Sequence, residues 1–134
     1  MTENYTQILK NARTILLVDW PGADVPLSLL KAGFTIVSYA PDSYSMASFE
    51  TNYEGKEKFV FKNLDELQGE IDIVNIFRPE EEHSEIISRH VLPLKAKAGW
   101  LQPTVTSANT AALASLHGLM FIEGIDIASV AKSL

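Results

Sequence analysis

The 134-residue sequence contains no cysteine. That absence excludes disulfide stapling and thiolate metal sites and fits a reducing compartment, so the cytoplasm is the expected location. No apolar run approaches the roughly 18 residues that a membrane span needs. The start, MTENYTQILKNAR, lacks a basic segment followed by an apolar one, so no secretory signal and no membrane association are expected. Excess positive charge is also missing. Eleven Lys and Arg stand against 17 Asp and Glu, a formal net charge of −6, which argues against general nucleic-acid binding. The G-x-G-x-x-G fingerprint, the Walker loop and the G-x-S-x-G elbow are all missing, so NAD binding, P-loop chemistry and esterase-type catalysis find no support. His83, His90 and His117 are not spaced as a metal set. His83 and His90 fall seven apart on one helical segment, which places them at its solvent face. No nucleophile–base pair stands out, and an enzyme acting on a small substrate would need one.

What is present is an ordinary globular composition, 46% hydrophobic and 21% charged, in one domain's length, 1–134. Tyr5, Ile8, Leu9 and Ala12 follow the spacing of one helix face, and Thr2 can cap that helix. Thr14 to Asp19 reads as a strand covered on both faces. Asp24 can cap the next helix, with Pro26 tolerated in its first turn and Gly33 suited to its end. Phe34 to Tyr39 is a second strand. Pro41 to Lys58 shows no period and reads as a long loop of the functional or mobile kind. Phe59 to Phe61 is a short edge strand, and NLDELQG a helical turn or two from Asn63 to Gly69. Ile71 to Phe77 is the clearest central strand. A helix entered through Pro79 follows, its acidic start at Glu80 to Glu82 suited to the positive helix end. Ala98 to Gln102 is a strand, and Thr106 or Ser107 caps the helix after it. Leu119 to Ile122 is the last strand, and Asp126 caps a terminal helix.

Strands alternating with helices predict an α/β, Rossmann-like three-layer domain with a mostly parallel sheet of five to six strands, order 3-2-1-4-5(-6). In that order the chain reverses direction between the first and fourth strands, and ligands bind outside the carboxyl ends of strands at such a switch point. Those ends are Asp19-Trp20-Pro21-Gly22 and Phe77-Arg78-Pro79, flanked by Tyr39-Ala40-Pro41 and Gln102-Pro103-Thr104. Arg78 is the basic side chain adjacent to the switch point. It can pair with a phosphate bidentately, or bridge to Glu80, Glu81 or Glu82 on the next turn. Trp20 can stack on a base, wall a pocket, or anchor the loop on the first helix.

At these residues the chain resembles a known family. IDIVNIFRPEEEHSEII, followed by AGWLQPTVTSANTAALASLHGLMFIE, is similar to the small stand-alone CoA-binding proteins. These share the Rossmann-like CoA-binding domain of the succinyl-CoA synthetase α subunit. The resemblance runs from the N-terminal helix to about Glu123, and its most specific pieces are Phe77-Arg78-Pro79 and Trp100-Leu101-Gln102-Pro103. It implies a domain, usually bacterial, that binds CoA or acyl-CoA or a related adenine nucleotide without a well-defined reaction of its own. Carried over, the cofactor-binding residues are Trp20, Pro21, Gly22 and Ala23 on the first loop, Tyr39 and Pro41 after the second strand, Phe77, Arg78 and Pro79, and Gln102 and Pro103. The sequence also departs from the family. Asp19 stands where a glycine is expected, the first loop is short, and Asp42 follows Pro41 in place of a basic residue. Asp19 and Asp24 put carboxylates beside the helix start that would hold a diphosphate. Lys56, Lys58 and Lys62 would compensate if the 42–58 stretch folded back. The alternative reading is therefore a degenerate Rossmann scaffold that has lost CoA binding and acts through protein contacts, as a homodimer for example.

Overall fold

The computed structural model describes residues 5–39, 43–51, 53–55, 57–64 and 70–134. Among the described residues, seven strands form one sheet: β1 (Thr14–Val18), β2 (Thr35–Tyr39), β3 (Tyr44–Thr51), β4 (Glu57–Asn63), β5 (Ile73–Ile76), β6 (Ala98–Leu101) and β7 (Met120–Glu123). The helices are α1 (Tyr5–Lys10), α2 (Asp24–Lys31), α3 (His83–Ile86), α4 (Ala108–Leu116) and α5 (Ile127–Lys132). A 3-10 turn, Glu80–Glu82, leads into α3, and a π-turn, Ile87–Val91, follows it.

The strand order is β4-β3-β2-β1-β5-β6-β7. The pairings β2–β1, β1–β5, β5–β6 and β6–β7 are parallel. The pairings β2–β3 and β3–β4 are antiparallel. The Rossmann-like α/β architecture and the adjacency of the first and central strands are as expected. The order differs on one side. Where a long loop is expected, Tyr44–Thr51 is a full strand, inserted between β2 and the edge strand. The expected edge strand at Phe59 to Phe61 is longer and is the second arm of that hairpin. Asn63 is the last residue of β4. Thr2, Pro41 and the expected helical turn over 65–69 lie outside the described residues.

Alternation along each strand divides the core into two layers. Ile15, Leu17, Ile36, Ile73, Ala98 and Trp100 face α1, α2 and α5. Leu16, Val18, Val37, Val74, Ile76 and Leu101 face Ile86, Ile87 and Val91 of α3 and its π-turn, with Leu113 of α4 at the margin. β1 and β5 are buried on both faces, the reason their sequences read as near-continuous apolar runs, broken in β5 only by the buried Asn75. Trp100 is wholly buried, and its indole N–H donates to the Ile125 carbonyl at 2.9 Å. Asp72 ties the start of β1 to the central strand. Its carboxylate accepts from the N–H groups of Arg13 (2.8 Å) and Thr14 (3.0 Å).

Helix starts follow local chemistry. Ser107 caps α4, with extended backbone and its Oγ accepting from the Thr110 N–H at 3.0 Å. Asp126 caps α5 through the Ala128 N–H at 3.1 Å. α2 differs from expectation. Ala23 occupies the cap position without a side-chain bond, and Asp24 is already helical. Gly33 ends α2 at φ 101°, where a side chain is strained. Among the described residues, no helix is long and apolar enough to cross a membrane.

Candidate functional site

The ends of β1 and β2 and the turn after β5 open into a cleft of about 730 Å³. Three elements form its walls. The strand ends contribute Val18, Asp19, Trp20, Ser38, Tyr39 and Arg78. The hairpin contributes Ser45 and Phe61. The helical segment contributes Glu82, Glu85, Ile86, Arg89 and His90. The cleft thus lies at the switch point that the strand pattern predicts, and the hairpin closes one side of it.

Its charge is organised around Arg78. The guanidinium donates from Nη1 to Asp19 Oδ2 at 3.0 Å and from Nη2 to Glu82 Oε2 at 2.6 Å. Its Nε donates to both oxygens of Glu82, at 3.1 and 3.2 Å. Glu82, and then Asp19, raise the arginine further above its ordinary value, so it is charged throughout. Arg78 therefore takes the bridging role that the sequence left open, to Glu82 one helical turn on, and adds a second partner on β1's exit. Asp19 has a left-handed backbone, φ 63°, and its Oδ1 accepts from the following Trp20 N–H at 2.8 Å. In that position the residue turns the chain without the family's glycine, since Asp tolerates this conformation better than most side chains. Three carboxylates (Asp19, Glu82, Glu85) and two guanidiniums (Arg78, Arg89) line the cleft, a formal charge of −1.

The second carboxylate at the first loop is directed elsewhere. Asp24 accepts from Lys132 Nζ (3.0 Å) on α5 and from Ser28 Oγ (3.1 Å). Lys132 and Ser28 hold it below the usual carboxylate range. Lys62 pairs with Glu50 on the neighbouring strand, and alternation turns it away from the face on which Phe61 meets the cleft. Lys56 lies outside the described residues. The hairpin does fold back over the site, but it brings Phe61 rather than Lys62.

Of the residues carried over from sequence, Trp20, Tyr39 and Arg78 line the cleft. Trp20 stacks on Phe61, with centroids 5.3 Å apart and planes at 23°. Pro21, Gly22 and Ala23 run exposed from the cleft mouth to α2. Phe77 is half-buried and donates its N–H to the Val18 carbonyl at 3.1 Å; Pro79 is exposed at the cap of the 3-10 turn. Gln102 is buried on the far side of β5, donating to Asp126 Oδ1 at 2.5 Å and accepting from the Ile127 N–H at 3.2 Å and from Asn75 Nδ2 at 3.3 Å. It fixes the start of α5. Pro103 sits beside it, half-buried. Pro41 lies outside the described residues.

The histidines correct an expectation. His83 and His90 are not at a solvent face; they are 1% and 6% exposed. Seven residues on a helix do share a face, but this one is turned inward and each ring finds a distant partner. His83 bridges Thr110 Oγ1 (2.7 Å) and the Arg78 carbonyl (2.8 Å), fixing the turn that carries Arg78. His90 Nδ1 lies 2.6 Å from Tyr44 Oη, and its ring packs on Tyr39 at 4.4 Å. Val18, Ser38, Ser45, Phe61, Glu85, Ile86, Arg89 and His90 are the cleft residues that sequence reasoning missed. Phe61 was read only as the end of a short apolar edge strand, Phe59-Val60-Phe61, and nothing local showed that it turns toward the cleft.

Solved structures share this fold. A Thermus thermophilus protein, cell-free ID.343, is 20% identical with a TM-score of 0.71, covering 99% of this chain and 98% of its own. Prb, a protein redesigned for binding, is 17% identical with a TM-score of 0.73, covering 100% and 92%. A hypothetical protein from Pyrococcus horikoshii is 15% identical with a TM-score of 0.66, again covering 100% and 92%. No curated protein matches the chain. The family described as CoA binding domain matches residues 18–125, which takes in every strand from the exit of β1 to the end of β7. On that match the chain belongs to the CoA-binding domain family.

Proposed function

We propose that this protein binds CoA, acyl-CoA or a related adenine nucleotide in the switch-point cleft, as a carrier, sensor or partner subunit with no reaction of its own. The observation that carries this reading is the convergence of Trp20, Tyr39 and Arg78, from three separate strand exits, on one cleft within the matched family domain.

The residues fit such a ligand in kind. An aromatic wall at Trp20 and Phe61 offers a stacking surface, and a cleft of about 730 Å³ lies within the usual range for cofactor sites. Beyond its own chain neighbours, nothing lies within 4 Å of the place a Cβ on Gly22 would take, and no side chain caps the start of α2. Arg78 is the group for a phosphate, and a phosphate would share it with, or take it from, Asp19 and Glu82. The arrangement favours a ligand that brings several contacts over a lone anion.

The test is thermal unfolding of wild type and Arg78→Ala with millimolar CoA, acetyl-CoA or ADP. Wild type is expected to gain thermal stability with CoA. Arg78→Ala is expected to lose that gain, because it leaves Asp19 and Glu82 facing the ligand uncompensated. A scaffold reading is favoured by the partial exposure of Met46, Phe49 and Phe61 on the hairpin (37%, 36% and 37%). No shift with any of the three ligands, together with a concentration-dependent dimer, would support it instead.

A further inference from the structure

The hairpin and the π-turn meet in a contact that the phosphate end of the cleft does not use. Tyr44 opens β3 and His90 sits in the π-turn, 46 residues apart, yet Tyr44 Oη and His90 Nδ1 are 2.6 Å apart. Tyr39 packs against both rings, at 4.4 Å from His90 and 4.9 Å from Tyr44. His90 lines the cleft, and no hydrogen bond engages its Nε2 among the described residues. A π-turn is a costly departure from helix geometry that recurs at functional sites.

We propose that His90 is a ligand-binding residue whose Nε2–H donates to an uncharged carbonyl oxygen, that of an amide or a thioester, and that Tyr44 positions it by donating to Nδ1. This assignment rests on the reading of the cleft as a CoA-type site and divides that cleft. Arg78 serves the charged end of the ligand, and the Tyr39–Tyr44–His90 wall serves the pantetheine and acyl end.

The chemistry is consistent at each atom. Burial, and then the neighbouring Tyr39, raise the Tyr44 phenol, with Arg89 opposing; Tyr44 therefore keeps its proton and can donate it. A neutral imidazole that accepts at Nδ1 must carry its proton on Nε2. Burial, and then Arg89, hold His90 below the ordinary imidazole range, with Glu85 opposing, so the ring is neutral at physiological pH. The charged groups nearby are Arg89 and Glu85, which pair with each other at 3.1 Å; Tyr39 and Tyr44 face the ring from β2 and β3. A neutral donor suits a carbonyl and gives little to a phosphate.

The experiment has two readouts. Calorimetric titration would compare acetyl-CoA, CoA and ADP on wild type, His90→Phe and His90→Gln. His90→Phe should weaken CoA and acetyl-CoA about 5- to 10-fold, the size of one neutral hydrogen bond, and leave ADP unchanged. His90→Gln, which keeps an N–H donor, should recover part of the loss. A loss confined to acetyl-CoA identifies the thioester carbonyl as the acceptor; an equal loss for CoA identifies an amide. Equal weakening of ADP, or no weakening at all, overturns the assignment. If wild type binds none of the three, the reading of the cleft falls and this assignment falls with it. Independently of any ligand, the nitrogen spectrum of the histidine rings reports the tautomer. The Nε2–H form is expected in wild type, with its population shifted in Tyr44→Phe. An Nδ1–H form in wild type overturns the proposal by itself.

Discussion

Asp19→Asn separates the two effects that the first loop exerts on an anionic ligand. Asp19 Oδ2 lies 3.0 Å from Arg78 Nη1, so a phosphate paired with the same guanidinium would sit about 5 Å from the carboxylate. At that distance, and at an effective dielectric of about 20 to 80, each unit of like charge costs about 1 to 3 kcal/mol. Removing the charge should tighten CoA about 5- to 150-fold at low ionic strength. The cost to the fold is small. Both side chains of the pair are 38% exposed, so the ion pair contributes about 0 to 1 kcal/mol. Asn tolerates the left-handed backbone at φ 63°, and its carbonyl oxygen can still accept from the Trp20 N–H. The assay is calorimetric titration with CoA and ADP at low salt and again at about 0.5 M, where screening should erase most of the gain. An unchanged or weaker affinity at low salt would refute the reasoning and place the anion away from β1's exit.

Two further outcomes follow from the same structure. Because His90 is held below its ordinary value of 6.5, the unfolded chain binds a proton there before the folded one does. The stability this group contributes is full above about 6.5 and is lost as pH falls through the folded value, so chemical denaturation between pH 7.5 and about 5.5 should show a fall that His90→Gln reduces. Ser107→Ala removes the α4 cap and the hydroxyl contact to Glu80, and should cost about 1 to 2 kcal/mol in urea unfolding while leaving ligand affinity unchanged.

How much of this was legible in the sequence depends on the range of the interaction. β1, β5 and β6 are buried on both faces, so their burial is written in the chain as apolar runs, interrupted in β5 only by Asn75. The caps at Ser107 and Asp126 act within three residues and were visible for the same reason. The i, i+4 bridge from Arg78 to Glu82 is local too. β3 was not visible, because a strand one place from the sheet edge, with Ser48, Phe49, Glu50 and Thr51 half-buried or exposed, carries no clean hydrophobic alternation. The rest of the site depends on contacts that no local pattern records. Asp19 meets Arg78 across 59 residues, His90 meets Tyr44 across 46, and His83 meets Thr110 across 27. Two histidines on a charged, partly polar helix look solvated until those partners are placed beside them.

The hairpin also alters the view of the family resemblance. Strand exits bring Trp20, Tyr39 and Arg78 to the cleft, while the Gln102 turn serves the start of α5. The wall opposite is built by β3, β4 and the π-turn. The measurement that bears most directly on CoA binding in this cleft is amide and indole chemical-shift mapping of the protein titrated with CoA. Saturable shifts at Trp20, Ser38, Tyr39, Phe61 and Arg78 are predicted. An absence of shifts at millimolar CoA, or shifts confined to α2 and α5 around Asp24, Ser28 and Lys132, would contradict CoA binding in this cleft.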